Sequence, residues 1–351
     1  MGKKIKILDT TLRDGSYAIN FQFSISAVES LCLLLETAGV RLIEIGHGMG
    51  LGAGNRSSYK SLCSDEEYLN AARCVLKKAT YGMFCIPGIA KIDDLKMAAD
   101  LGMGFVRIGS NVENVGQTGE FIKTAKKLGM FVCANYMKSY ASLPSVFAEK
   151  VKYSEENGAD VIYLVDSAGS MIPQQIESYY EAIRRVSNIS LGFHGHNNLG
   201  LANSNSIFCA QIGFDIIDAS LCGMGRSAGN AITEQIVPTL NLNDIETNIN
   251  LLKILEASDV VREFFYQGGV TNSLDIVCGV SGFHSSYIGD ILKFANKYKV
   301  NPLMLIIEYA KIDKVNIDYD ILASVAKKLP KKVKTLWKYR TDKYIGNEQK
   351  L

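Results

Sequence analysis

The residues best suited to chemistry are two histidines, His194 and His196, separated by a single glycine. On an extended backbone, residues two apart project from the same face, so both imidazoles point one way. Neutral imidazole is a common ligand for divalent metals, and a carboxylate such as Asp14 completes a facial set with open positions. A 2-oxo acid can fill those positions through its carboxylate and keto oxygens. The chain has four histidines in all, and finding two of them together weighs against a pair that merely hydrogen-bonds within a loop. Arg13 stands beside Asp14. Adjacent opposite charges are usually a solvated pair, but an arginine at a barrel mouth can hold the charge that builds on an enolate oxygen, where a metal also acts as Lewis acid.

These groups work together only if the fold gathers them. Short apolar, β-branched runs alternate with longer amphipathic ones, the pattern of βα units around a parallel sheet. Strands are expected at 4–9, 42–46, 80–86, 105–109, 131–135, 161–165, 190–194 and 216–220. Helices are expected at 26–38, 65–78, 91–101, 119–128, 143–157, 173–186, 200–212 and 230–240. Gly39, Gly102, Gly129, Gly158 and Gly213 each close a helix before the next strand. Eight such repeats predict an α/β fold, a (β/α)8 TIM barrel over residues 1–250, with 251–351 as a C-terminal helical subdomain. A doubly wound open sheet would need a glycine fingerprint for phosphate after its first strand, and the chain has none there.

Barrel active sites lie at the C-terminal ends of the strands. Arg13 and Asp14 follow the first strand, His47 and Gly48 the second, and Asp166 and Ser167 the sixth. The two histidines end the seventh, and Gly223, Gly225 and Asn230 follow the eighth. Ser167 is a candidate contact for a substrate carboxylate and His47 a candidate substrate contact beside Arg13. Asp166 suits an orienting role or a turn equally well.

Composition sets outer bounds. A formal charge of +2 over 351 residues gives no reason to expect nucleic-acid binding. The segment 327–350 is rich in lysine, with Trp337, Tyr339 and Tyr344, and reads as a basic, solvated tail rather than a polyanion site. No apolar run is long enough for a membrane span, and the opening MGKKIKILDT leads straight into a strand, unlike a signal peptide. The eight cysteines show no CxxC pairing, which fits a reducing cytoplasm.

Together, LDTTLRDG at 8–15, EIGHGMGL at 44–51, HGHNNLG at 194–200, DASLCGMG at 218–225 and SAGN at 227–230 resemble one family. It is the DRE-TIM metallolyase (HMG-CoA lyase-like) superfamily, above all its 4-hydroxy-2-oxovalerate aldolase branch of metal-dependent pyruvate aldolases. The resemblance spans residues 5–326, and the HGMGL segment favours the aldolase branch over the acyl-CoA-condensing one. It implies a lyase acting between pyruvate enolate and an aldehyde, with Mn²⁺ or Mg²⁺ on Asp14, His194 and His196 and Asn230 near the metal. Arg13 would then stabilise the enolate and Ser167 contact the carboxylate. The resemblance also implies an acylating aldehyde dehydrogenase partner, and analogy with other barrels suggests a homodimer.

One pair departs from the pattern. The aldolases carry a catalytic His three residues after the motif's Asp, where this chain has Tyr17. They carry a Tyr in a Val-Tyr-Ser-Ser-like stretch, where this chain has His284. The two residue types have changed places, so Tyr17 and His284 are expected to meet over the metal, with His284 transferring the proton. The stretch FHSSYI at 283–288 is also similar to a segment of isopropylmalate-type synthases, which makes an acyl-CoA Claisen condensation the second reading. A barrel that has lost catalysis would lack a metal ligand or the arginine, and the sequence retains both.

Overall fold

Eight short strands pair in parallel and in chain order, and the last returns to the first to close a barrel. They are β1 (Lys6–Asp9), β2 (Leu42–Glu44), β3 (Thr80–Cys85), β4 (Phe105–Asn111), β5 (Phe131–Met137), β6 (Val161–Asp166), β7 (Ser190–Gly195) and β8 (Ile216–Ala219). This computed structural model describes residues 3–266, 268–269, 271–331 and 344. The outer layer is α1 (Ile25–Ala38), α2 (Asp65–Val75), α3 (Ile92–Asp100), α4 (Gly119–Lys127), α5 (Pro144–Glu156), α6 (Pro173–Arg184), α7 (Ala202–Ile212) and α8 (Thr233–Leu242). The expected (β/α)8 barrel is the fold the chain adopts.

Differences from the sequence expectation sit at element ends and have local causes. The first expected strand is split: Lys3–Lys4 pairs instead with Ile245–Glu246 in a separate two-stranded ribbon. Helix α2 ends at Val75 because one Glu36 carboxylate oxygen accepts the N–H groups of Lys77, Lys78 and Ala79 and draws that backbone out of the helix. The expected helix at 230–240 starts only at Thr233, because Asn230 bridges to His196 in the mouth of the barrel. The five helix-closing glycines all take positive φ, as required of them.

Layers of side chains fill the barrel. Leu8, Phe105, Cys133, Val161 and Ile216 form an apolar floor. Residues two apart on a strand share a face, so Arg107, Tyr163 and Asp218 continue from Phe105, Val161 and Ile216 into the next layer up. Glu44 joins them from the end of β2. This charged layer is closed to water and lies directly beneath the strand ends that carry the histidines.

After the barrel, α9 (Leu251–Phe264) lies along α1 and shares its core through Ile254, Ala257 and Val261. Helices α10 (Ser273–Ser281), α11 (Ile288–Tyr298), α12 (Pro302–Ala310) and α13 (Tyr319–Lys328) gather around a second apolar cluster that includes Leu274, Phe283, Ile306 and Leu322. The loop between α10 and α11 carries His284. Of the lysine-rich tail, Trp337 and Tyr339 lie outside the described residues. Tyr344 is described, and its hydroxyl donates to Asp275 Oδ1 at 2.8 Å. Among the described residues, no helix is long and apolar enough to cross a membrane.

Candidate active site

The loop after β1 turns back on itself, with the N–H groups of Arg13 and Gly15 both donating to the Thr10 carbonyl. A 3-10 segment, Asp14–Ile19, follows. Its three-residue turn sets Asp14 and Tyr17 on one face, directed at the barrel mouth. His194 is held by β7, opposite Val165 of β6, and His196 lies just past the strand end. The outcome is a buried cluster in which ligand atoms of Asp14, His194 and His196 all lie within 4.8 Å of one another. A cavity opens over them, lined also by Arg13, Tyr17, Ser167 and Arg226.

Each ligand is aimed by a partner. His194 Nδ1 lies 2.8 Å from Asp218 Oδ2, and His196 Nδ1 lies 3.3 Å from the Gly229 carbonyl. Both acceptors put the proton on Nδ1 and leave Nε2 as a lone-pair donor, the arrangement typical of metal-bound imidazole. Asp14 accepts from Arg13 Nη1 at 2.7 Å and from Asn230 Nδ2 at 2.8 Å. Gly225 makes the latter bond possible, since a Cβ there would sit 2.6 Å from Asn230 Nδ2. Asn230 Oδ1 is buried without a hydrogen-bond partner among the described residues, a further oxygen available to a cation.

The electrostatics agree with this donor set. Burial works against charge on Asp14, but Arg13, the two histidines and Arg226 outweigh it and hold the carboxyl well below the usual range. Burial, only partly opposed by Asp14, pushes His196 down to about 3, so it stays a neutral ligand. One anionic oxygen ligand and two neutral nitrogens suit a divalent ion with positions left open. The residues present fit the metal.

Arg13 is fixed at both ends. Its Nε donates to Glu44 Oε2 at 2.7 Å while Nη1 holds Asp14, and its guanidinium lies over the Phe84 ring. Ser167 lines the cavity, and its Oγ accepts the Lys138 N–H at 2.9 Å, which leaves its own proton to donate. Tyr17 packs so tightly on Gly48 that a Cβ there would meet its ring at 2.3 Å. Asp166 takes the turn role: its carboxylate accepts the N–H groups of Ser170 and Met171.

Two of the expected site residues stand back from the cavity. His47 stacks on Phe21 at 3.9 Å, its Nδ1 accepts from the Met49 N–H and its Nε2 donates to the Tyr59 carbonyl. Burial lowers it to about 4. With both nitrogens committed, it holds the loop that carries Gly48. His284 lies behind Arg226, whose Nη2 donates to His284 Nε2 at 2.6 Å. A guanidinium has only donors, so Nδ1 carries the proton and donates to Ser286 Oγ at 2.7 Å. Burial, then Arg226, Lys138 and His196, keep His284 neutral far below the ordinary histidine range. Tyr17 and His284 therefore meet through Arg226, which lies over the Tyr17 ring at 5.5 Å.

Sequence reasoning did not pick out Glu44, Arg107, Asp218 or Arg226. Glu44 and Asp218 lie inside the motifs, so spacing could have flagged them. Arg107 had a signal of its own: a lone cation inside the apolar run FVRIG of a strand buried on both faces. Arg226 sits in an irregular loop next to Ser227, which has positive φ, and no periodicity marks it.

A closed parallel barrel with an acid and two histidines at its mouth defines a class, the metal-centred (β/α)8 enzymes. The chain belongs to the HMGL-like family, whose model matches residues 4–261. It is 34% identical to the 4-hydroxy-2-oxovalerate aldolase of Carboxydothermus hydrogenoformans, over 94% of this chain and 99% of that protein. It is 33% identical to the one from Moorella thermoacetica, over 94% of this chain and 98% of that protein. Among solved structures, the N-terminal domain of a putative aldolase from Bacteroides vulgatus superposes with a TM-score of 0.70 at 24% identity. That match covers 88% of this chain and 97% of that domain and bears on the fold alone.

Proposed function

We propose that this chain is a divalent-metal-dependent aldolase that cleaves, or in reverse forms, the bond between the pyruvate unit of a 4-hydroxy-2-oxo acid and an aldehyde. The observation that carries this is the Asp14–His194–His196 cluster, with both Nε2 atoms freed and Arg13 in the same cavity wall. Mn²⁺ or Mg²⁺ held by these three residues, with Asn230 beside them, would supply Lewis-acid polarisation of the 2-oxo group.

This chain's own residues do the rest. Ser167 binds the substrate carboxylate. As the C3–C4 bond breaks, its electrons move toward C2 and charge grows on the C2 oxygen, where Arg13 is already aimed and needs no reorganisation. The 4-hydroxyl proton goes to the Tyr17–His284 pair, and a proton delivered to C3 of the enolate completes pyruvate. Tyr17 is the member at the cavity wall; His284 accepts a proton at Nε2 only when Arg226 releases that nitrogen. His47 acts on the substrate indirectly, through the loop that seats Tyr17. By resemblance the reading extends to a cytoplasmic homodimer that passes its aldehyde to an acylating dehydrogenase, which copurification and solution mass would test.

Pyruvate release from 4-hydroxy-2-oxovalerate, followed through NADH consumption by added lactate dehydrogenase, tests the reaction. Release that stops on chelation and resumes with Mn²⁺ supports it. Thiol release from acetyl-CoA with a 2-oxo acid, without pyruvate release, would overturn it in favour of Claisen condensation. Comparing His284→Ala with Tyr17→Phe tests the proton path, and near-normal turnover in His284→Ala removes His284 from it.

A further inference from the structure

Beneath the Asp14–His194–His196 cluster, the barrel holds a second group of charges that does not line the cavity above it. Arg107 is fully buried in β4. Its Nη1 donates to Asp218 Oδ2, the same oxygen that receives His194 Nδ1. Its Nε lies 3.3 Å from Glu44 Oε1, an ion-pair contact without hydrogen-bond geometry, and the other oxygen of Glu44 accepts from Arg13 Nε. Since Arg13 also grips Asp14, the contacts form a chain, Asp14, Arg13, Glu44, Arg107, Asp218, His194, whose two ends come together in the donor cluster. Arg107 is the member that joins the two orienting carboxylates.

We propose that Arg107 is a positioning residue that ties the aim of the ligand His194 to the aim of Arg13. The surroundings support a role in geometry rather than charge balance alone. Its guanidinium lies 4.6 Å from the Tyr163 ring centroid and 5.6 Å from that of Phe84, the ring that Arg13 also covers. Glycines make room for both rings: a Cβ on Gly192 would meet Tyr163 at 2.4 Å, and one on Gly109 would meet Phe84 at 2.3 Å. A planar fork held between two rings presents its donors in fixed directions, which a lysine ammonium cannot do. Two buried carboxylates would otherwise repel each other and be free to turn.

The inference rests on the divalent-metal reading above, and the test separates the two. Mn²⁺ affinity is measured by equilibrium titration for the full-length wild-type chain, Arg107→Lys and Arg107→Met, each with its melting temperature. Steady-state kcat and KM follow at saturating metal. Both variants are expected to bind Mn²⁺ about 10- to 100-fold more weakly. They are also expected to lose kcat with little change in KM, since Arg13 would act mainly in the transition state. Arg107→Lys with wild-type affinity and kcat would overturn the proposal, because charge alone would then suffice. If Arg107→Met does not fold, Arg107→Lys decides the matter. A wild-type chain that binds no Mn²⁺ would sink the metal reading, and this inference with it. A wild-type chain that binds Mn²⁺ no better than the variants sinks this inference alone.

Discussion

The two walls of the cavity are built differently. On one side, Asp14, His194, His196 and Arg13 project from strand ends or the turn next to them. Each has a buried hydrogen-bond partner: Glu44 for Arg13, Arg13 and Asn230 for Asp14, Asp218 for His194 and the Gly229 carbonyl for His196. On the other side, Tyr17, Arg226 and His284 come from a 3-10 turn, an irregular loop and the helical region beyond the barrel. The first wall is the more firmly held, since each of its four groups is hydrogen-bonded and His194 sits on a strand paired in register with its neighbour. The second depends on one guanidinium that bridges a phenol ring and an imidazole. The groups proposed to hold a metal sit on the more firmly held wall, and the groups proposed to move a proton sit on the more adaptable one.

Breaking the more firmly held wall should have the largest effect. Asp14→Asn removes the one anionic ligand and is expected to abolish Mn²⁺ binding in equilibrium titration. Turnover should then fall by more than the roughly hundred- to thousandfold that losing one preorganised donor costs. Arg13→Ala comes next, with kcat expected to fall by about 10²–10³ while the purified protein still carries metal. Asp218→Ala leaves Asp14, His194 and His196 in place but removes the acceptor of His194 Nδ1. Metal affinity should weaken by about 10- to 100-fold, and kcat at saturating metal should recover more fully than in Arg13→Ala. If all three variants bound metal as wild type does, the contrast between the walls would collapse.

The smallest effect concerns stability at the edge of the adaptable wall. His47 is held at about 4 in the folded chain, below its ordinary 6.5, chiefly by burial. Between those values the unfolded chain binds more protons than the folded one, so stability rises with pH across the window. His47 therefore costs nothing above pH 6.5 and destabilises progressively as pH falls toward 4. A few degrees of the drop in melting temperature over that range should disappear in His47→Phe. An unchanged slope would mean that the buried ring is not what sets it.

The same division explains how much could be read from the sequence. The barrel was legible because each βα unit repeats a local pattern: an apolar run, an amphipathic stretch and a closing glycine. The candidate donor cluster was legible because His194 and His196 are two apart at one strand end and Asp14 follows another. The charged layer beneath them was not, since Glu44, Arg107 and Asp218 lie on three separate strands and meet only when the barrel closes. The bridge of Arg226 between Tyr17 and His284 was equally hidden. Arg226 is 58 residues from His284 in sequence and sits in an irregular loop, and a substitution pattern alone reads as direct contact between Tyr17 and His284.

The central claim is that this cavity makes an enolate from pyruvate with a metal on Asp14, His194 and His196. The most direct measurement is proton exchange of pyruvate in D₂O, with Mg²⁺-loaded protein and no aldehyde or coenzyme A, followed by loss of the methyl signal in NMR. The account predicts exchange that stops on chelation, returns with Mg²⁺ and is missing in Asp14→Asn. A protein shown to carry its metal that leaves the pyruvate methyl protons in place would contradict it.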